Sequence, residues 1–186
     1  MKILAAISER AAAEGLLFLV IGGNAVNVHG YDRRTMDLDL LVREDDRRAW
    51  DELITSLGYR PHQIARVFHM YNPIGSGLPP VDLMLVDAGT FSKLFAAPHS
   101  GVLENQPISV PALPHLIALK LHALRHGHAE RQFRDLGDVV ELIRVNQVNL
   151  ASPEYQEILD KYADDTTRRK LAEALPEAFG SESSGV

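Results

Sequence analysis

Residues 35–42, Thr-Met-Asp-Leu-Asp-Leu-Leu-Val, constrain this chain more than any other stretch. From Leu38 onward the run is branched and apolar, as in a strand covered on both faces, yet Asp37 and Asp39 occupy alternate positions at its start. Alternation puts both carboxylates on one face, with Cα atoms about 6–7 Å apart at the rise of a strand. Two like charges so close, at the end of a hydrophobic strand, lose hydration and repel. They must be paired, protonated or bound to a cation. A divalent cation removes the conflict; the plainer alternative is a pair of solvated acids on an edge strand, and the rest of the chain decides between them.

At 186 residues the chain suits one domain of ordinary size, able to bury a core without disulfides or structural metal. It contains no cysteine, which excludes a disulfide framework, a thiolate metal site and a cysteine nucleophile, and fits a reducing cytoplasm. The first residues lack an apolar signal core and the apolar run 16–21 is too short to cross a bilayer, so a soluble, cytoplasmic protein with no membrane association is expected. A net charge of −6 argues against a general nucleic-acid footprint, although Arg33-Arg34, Arg43 with Arg47-Arg48, and Arg168-Arg169-Lys170 form local basic clusters.

In chain order, residues 1–14 carry Ile3, Leu4, Ile7 and Ala11 at helical spacing, and Gly15 ends that helix. Residues 16–21 read as a buried strand that ends in Gly22-Gly23 and enters a short helix over 24–28. Glycines there let backbone N–H groups approach an anion such as phosphate, although a Gly-Gly turn is also a common structural device. A polar connector, 31–36, places Arg33 and Thr35 just before Asp37, to contact phosphate or to pin the loop. A helix over 44–57 follows, then a strand over 64–71 and a turn-rich loop over 72–80. Residues 81–86 form a second acid-interrupted strand. If it pairs beside the first, Asp82 joins Asp37 and Asp39 on one face, whereas Asp87 has the other parity and marks the exit.

A short helix over 90–96, a loop over 98–114 with an edge strand at 106–110, and helices over 113–124, 131–145, 153–162 and 166–175 complete the reading, with 176–186 a disordered tail. Lys120 interrupts an apolar helix and either snorkels to solvent or faces a phosphate site. Phe133, Leu136, Val139, Val140 and Ile143 form the expected core face of the 131–145 helix, with Arg134, Asp135 and Asp138 beside it. His122 and His126, with His128 close behind, have a spacing that can bind zinc on a helix, but a solvated helix end is the better reading.

A glycine turn after a strand, a paired-acid strand and a third acid on a further strand suit phosphoryl or nucleotidyl transfer, in which two divalent ions clamp the attacking and leaving oxygens. Gly22-Gly23, then Asp37-Leu38-Asp39-Leu40, then Val81-Asp82-Leu83 resemble the signature of the DNA polymerase β-like nucleotidyltransferase superfamily. Ile21 to Val26, His29-Gly30-Tyr31 and the Arg33, Thr35, Asp37, Asp39 series resemble its small bacterial and archaeal members, including the AbiEii-like toxins of type IV toxin-antitoxin systems. Leu116 to Leu121 followed by Arg134-Asp135-Leu136, Asp138 and Val139 resembles the helical part of the same group.

The resemblance implies an α/β (α+β) nucleotidyltransferase fold: a small mixed sheet flanked by helices, with a catalytic core over 1–110 and a C-terminal helical part over 111–175. It implies transfer of a nucleoside monophosphate from a nucleoside triphosphate to a hydroxyl, with release of pyrophosphate. Asp37, Asp39 and Asp82 would be both catalytic and metal-ligating, holding two Mg²⁺ ions, with Mn²⁺ as a substitute. Gly22, Gly23, Arg33, Thr35 and Lys120 would bind the nucleotide; Arg134, Asp135 and Asp138 are secondary candidates, the two acids serving to orient Arg134 or Lys120. Many members have serine where Gly23 stands. The acceptor is open among tRNA, a protein and a small molecule, and a cognate antitoxin is a candidate partner. The competing reading is a catalytically inactive module of the same fold that senses nucleotide or binds a partner.

Overall fold

The two acid-interrupted runs become neighbouring parallel strands. A computed structural model of the chain describes residues 2–126 and 129–180, which divide into two units: the chain through Val28 together with Arg33–Ala112, and His29–Asp32 together with the chain from Leu113 onward.

The first unit is built on a five-stranded sheet of β1 (Phe18–Val20), β2 (Leu38–Arg43), β3 (Tyr59–Ile64), β4 (Phe68–Pro73) and β5 (Val81–Val86), in the order β1-β2-β5-β4-β3. β2 and β5 are parallel and every other pairing is antiparallel, so this is the mixed sheet flanked by helices expected from the sequence. Leu38, Leu40, Leu41 and Val42 of β2 and Val81 and Leu83 of β5 are fully buried. Each such side chain contributes about 1.5–3 kcal/mol by leaving water, and the centre of the sheet is therefore its most constrained part.

Helices α1 (Lys2–Glu14), α2 (Gly22–Val28), α3 (Arg47–Ser56) and α4 (Ala88–Phe95) complete the layer. α1 buries Ile3, Leu4, Ile7 and Ala11, and α3 buries Trp50, Leu53 and Ile54. Asp87 caps α4 by accepting from the Thr90 backbone N–H at 3.0 Å, which, with the Thr90 hydroxyl as the larger cause, holds its carboxyl below the ordinary range. α3 lies on the sheet face that carries His69 and Tyr71. His69 Nδ1 meets Asp51 Oδ1 at 2.8 Å and the Tyr71 hydroxyl donates to the same carboxylate. Burial, then that bond, pushes the Tyr71 hydroxyl far up.

Several elements differ from expectation. The 16–21 strand shortens to Phe18–Val20, and the helix after it begins at Gly22 itself. The single strand expected over 64–71 is a hairpin of β3 and β4. β3 escapes detection because it is the sheet edge, exposed from Arg60 to Ile64, with Pro61 and a register shift breaking the alternation. The loop over 98–114 holds a second hairpin, β6 (His99–Leu103) and β7 (Gln106–Val110), closed by Glu104 and Asn105 at positive φ, the backbone a tight two-residue hairpin turn needs.

The second unit contains α5 (Leu113–His126), α6 (Ala129–Val145), α7 (Pro153–Tyr162) and α8 (Asp165–Ala174), followed by a 3-10 turn at Pro176–Phe179. α5 packs on α6 and α7. Phe133 is 89% exposed, so it is not a core residue of α6; Leu142, with Val139 and Ile143, fills that place. Within the segment expected to be a tail, Leu150 N donates to the Ala178 carbonyl at 2.7 Å and Ala178 is buried, while 181–186 lie outside the described residues. Among the described residues no helix is long and apolar enough to cross a membrane.

Candidate functional site

The register of β2 on β5 sets Asp39 directly beside Asp82. Asp37 stands just before β2, where the Thr35 hydroxyl donates to its Oδ1 at 2.8 Å and the buried Asn24 amide donates to its carbonyl at 3.1 Å. One carboxylate oxygen from each of Asp37, Asp39 and Asp82 lies within 4.8 Å of the others. Asp82 is only 2% exposed and the other two are half-buried. Three acids so close, partly out of water, repel unless a cation lies among them. Their donors are hard carboxylate oxygens, which suit Mg²⁺ or Mn²⁺, and no thiolate or imidazole joins the cluster. The residues therefore fit a divalent cation.

The glycine pair is shaped by these side chains. Gly22 has φ +63, and a Cβ there would lie 1.9 Å from Asp39 Oδ2. Only glycine lets the backbone pass this carboxylate in that conformation. A Cβ on Gly23 would lie 2.8 Å from Thr35 Oγ1 and 2.9 Å from an Arg33 guanidinium nitrogen. The glycine at position 23, where many relatives by resemblance carry serine, thus makes room for Thr35 and Arg33. Asn27 holds Arg33 in place from both sides, donating to its carbonyl at 2.9 Å and accepting from its N–H at 3.0 Å. Ile21 N, just before α2, donates to the Asp39 carbonyl at 2.9 Å, so β2 is held beside the start of that helix.

Asn24 and Asn27 support the candidate site, and no motif marks them. Their signal was two asparagines inside a short helix, where a side chain that competes with the backbone earns its position only by bonding elsewhere.

Within the helical unit Lys120 points inward. Its Nζ meets Asp135 Oδ1 at 2.8 Å and Asp138 Oδ2 at 2.7 Å, and all three residues are buried. The two acids hold Lys120, while Arg134 is exposed. His122 and His126 lie ring to ring, 4.6 Å between centroids, and His128 is outside the described residues. The acidic triad is the cluster found among the described residues that could hold a metal ion.

No protein-family model matches the sequence, and no curated protein does. Solved structures do match. The antibiotic-resistance factor ANT(2″)-Ia is 13% identical and superimposes with a TM-score of 0.65 over 95% of this chain and 96% of its own. An antigenic nucleotidyltransferase-like protein from Paracoccidioides brasiliensis is 17% identical, with a TM-score of 0.57 over 94% and 91% of the two chains. The lincosamide antibiotic adenylyltransferase LnuA, solved with lincomycin bound, is 11% identical, with a TM-score of 0.53 over 76% and 96%. The chain has the fold of these nucleotidyltransferases.

Proposed function

We propose that this chain is a metal-dependent nucleotidyltransferase that moves a nucleoside monophosphate from a nucleoside triphosphate to a hydroxyl acceptor. The observation that carries the reading is the convergence of three carboxylates within 4.8 Å, at the start of two adjacent parallel strands, against a glycine backbone that admits no side chain. The fold shared with nucleotidyltransferases supports it.

In this reading Asp37 and Asp39, with Asp82, hold a pair of Mg²⁺ ions, for which Mn²⁺ substitutes. Bound ions supply neutralisation of the triphosphate and of the charge that develops on the attacking and leaving oxygens. The backbone amides of Gly22 and Gly23 take the triphosphate, with the Arg33 guanidinium above Gly23; Lys120, which the resemblance gives to the phosphates, is instead engaged by Asp135 and Asp138. Thr35 acts by orienting Asp37. The acceptor oxygen attacks the α-phosphorus, its proton passing to the Asp82 carboxylate. The new O–P bond forms as the bond to the bridging oxygen breaks, and pyrophosphate leaves with that electron pair.

The resemblance to AbiEii-like toxins favours a tRNA acceptor and a cognate antitoxin, whereas ANT(2″)-Ia was solved with adenylyl-2″-tobramycin and LnuA with lincomycin. Purified protein incubated with each α-labelled triphosphate, Mg²⁺ and a cell extract separates these acceptors. Label in RNA, protein or a small molecule, absent with Asp39→Ala, is the expected result; no transfer and no pyrophosphate from any triphosphate refutes the transferase reading.

A further inference from the structure

The sheet order gives the site a direction. On the β1–β2 side of the triad stand α2, the glycine pair, Arg33 and Thr35, the groups assigned above to the triphosphate. On the other side, past Asp82, lie β4 and then β3, which is the open edge of the sheet. An acceptor that meets Asp82 therefore rests on β4 and β3.

Register identifies what it meets there. Met70 of β4 is the direct partner of Asp82, and Gln63 of β3 is the partner of Met70. Direct partners share a face, so Asp39, Asp82, Met70 and Gln63 form one row. Two residues along β4 on the same face is Asn72, whose partner is Arg60. The burial pattern agrees: His69 and Tyr71 are buried under α3, whereas Met70 and Asn72 are half-exposed and Arg60 and Gln63 exposed. Arg60 and Asn72 lie towards the end of the sheet where β2 and β5 begin, which is also the end where Asp37 stands.

The chemistry of this shelf is one-sided. Residues 59–81, covering β3, β4 and the loop to β5, contain no Asp or Glu, in a chain with 25 acids among 186 residues. A polycationic acceptor needs carboxylates to receive its ammonium groups, and this shelf offers none beyond the triad. It offers instead a guanidinium, two side-chain amides and a polarisable thioether.

We propose that Met70, Asn72, Gln63 and Arg60 form the acceptor subsite and that the acceptor carries a phosphate close to its reactive hydroxyl, received by Arg60. This rests on the transferase reading. Strand spacing and a two-residue step put the Arg60 and Asp82 Cα atoms roughly 12 Å apart. An extended arginine and one phosphorylated sugar together bridge that distance, so the hydroxyl meets Asp82 while the phosphate meets the guanidinium in a two-pronged hydrogen bond. The amides of Asn72 and Gln63 bond the sugar between them, and Met70 supports its apolar edge. The open edge at β3 leaves room for a polymer to continue, so a strand end and a free sugar phosphate both satisfy the chemistry.

The test offers a short oligoribonucleotide, ribose 5-phosphate and tobramycin as acceptors to the wild type, Arg60→Lys, Arg60→Gln and Arg60→Glu. Folding is checked by thermal melting, and Mg²⁺-dependent binding of a fluorescent ATP analogue is measured alongside. Transfer to a phosphate-bearing acceptor is expected, with KM raised about tenfold in Arg60→Gln, more in Arg60→Glu and less in Arg60→Lys, since one charge-assisted pair contributes on that scale. Which of the two phosphate acceptors reacts distinguishes the strand end from the free sugar phosphate. Transfer to tobramycin, or an unchanged KM for phosphate-bearing acceptors in both Arg60→Gln and Arg60→Glu, overturns the subsite. Absence of ATP-analogue binding in the wild type overturns the transferase reading itself, and the acceptor assignment with it.

Discussion

The acidic triad of the sheet unit and the Lys120 cluster of the helical unit are built from similar parts to opposite ends. Each gathers two or three carboxylates at least partly out of water. Around Lys120 the cation is covalently part of the chain, held at 2.8 and 2.7 Å by Asp135 and Asp138. Around Asp82 the cluster gathers another two acids, with a threonine hydroxyl on Asp37 and glycine backbone against Asp39. A buried charge set that carries its own counter-ion serves packing first. One in which three acids converge gains from a cationic ligand.

The strongest way to break this comparison is Asp39→Ala. Nucleotidyl transfer should fall to background, a larger loss than the roughly 10²–10³-fold caused by removing one stabilising donor. Stability without metal should stay the same or rise, because repulsion is relieved. In the wild type, Mg²⁺ at about a hundred times its dissociation constant should add about 2.7 kcal/mol of stability, and this gain should vanish in the variant. A melting curve that responds equally to Mg²⁺ in both proteins would remove the triad from consideration as the metal site.

Lys120→Met should do the reverse. Leaving Asp135 and Asp138 buried without their cation costs about 3–5 kcal/mol, read by denaturant unfolding. Adding Asp135→Asn and Asp138→Asn to it should recover much of that loss. If Lys120→Met is as stable as the wild type, the cluster is not held as described.

Gly22→Ala sits between the two. Its Cβ would strike Asp39 Oδ2, and its φ of +63 disfavours alanine, so about 1–3 kcal/mol of stability and a comparable part of the Mg²⁺ response should be lost together. Loss of stability without loss of the Mg²⁺ response would separate the glycine from the metal site.

The smallest effect concerns an acid stabilised chiefly by hydrogen bonds. Asp164 caps α8, and the Thr167 N–H, then the Thr167 hydroxyl, hold its carboxyl below the ordinary range. A folded-state value below the unfolded one means that the cap's contribution is fully present above the unfolded value, near pH 4, and is lost as pH falls through the folded value. Asp164→Ala should cost about 1 kcal/mol at pH 7 and nothing at the acid end. A penalty that does not shrink with acidification would show that the cap works through packing.

Much of this was legible beforehand because periodicity is local. The acids at alternate positions, the glycines after a strand and the apolar faces of α1, α3 and α5 can be read from neighbours in the chain. Edge strand β3 was not, because exposed residues around a proline carry no alternation. Phe133 misled for a related reason: its spacing fits the α6 stripe, but whether a partner covers that position is a property of the packing.

The sequence by itself determined the chemistry available: which strands carry acids, where the backbone must be glycine, and that no thiol takes part. Only the tertiary structure decided that Asp39 and Asp82 are partners across parallel strands, that Asn24 and Asn27 fasten the connector, and that Lys120 spends its charge on Asp135 and Asp138. The physical reason is reach. Side-chain parity and backbone freedom are set within a few residues, whereas the Lys120–Asp135 pair and the register of Asp39 on Asp82 join residues 15 and 43 positions apart, and the sequence has no local term for those contacts.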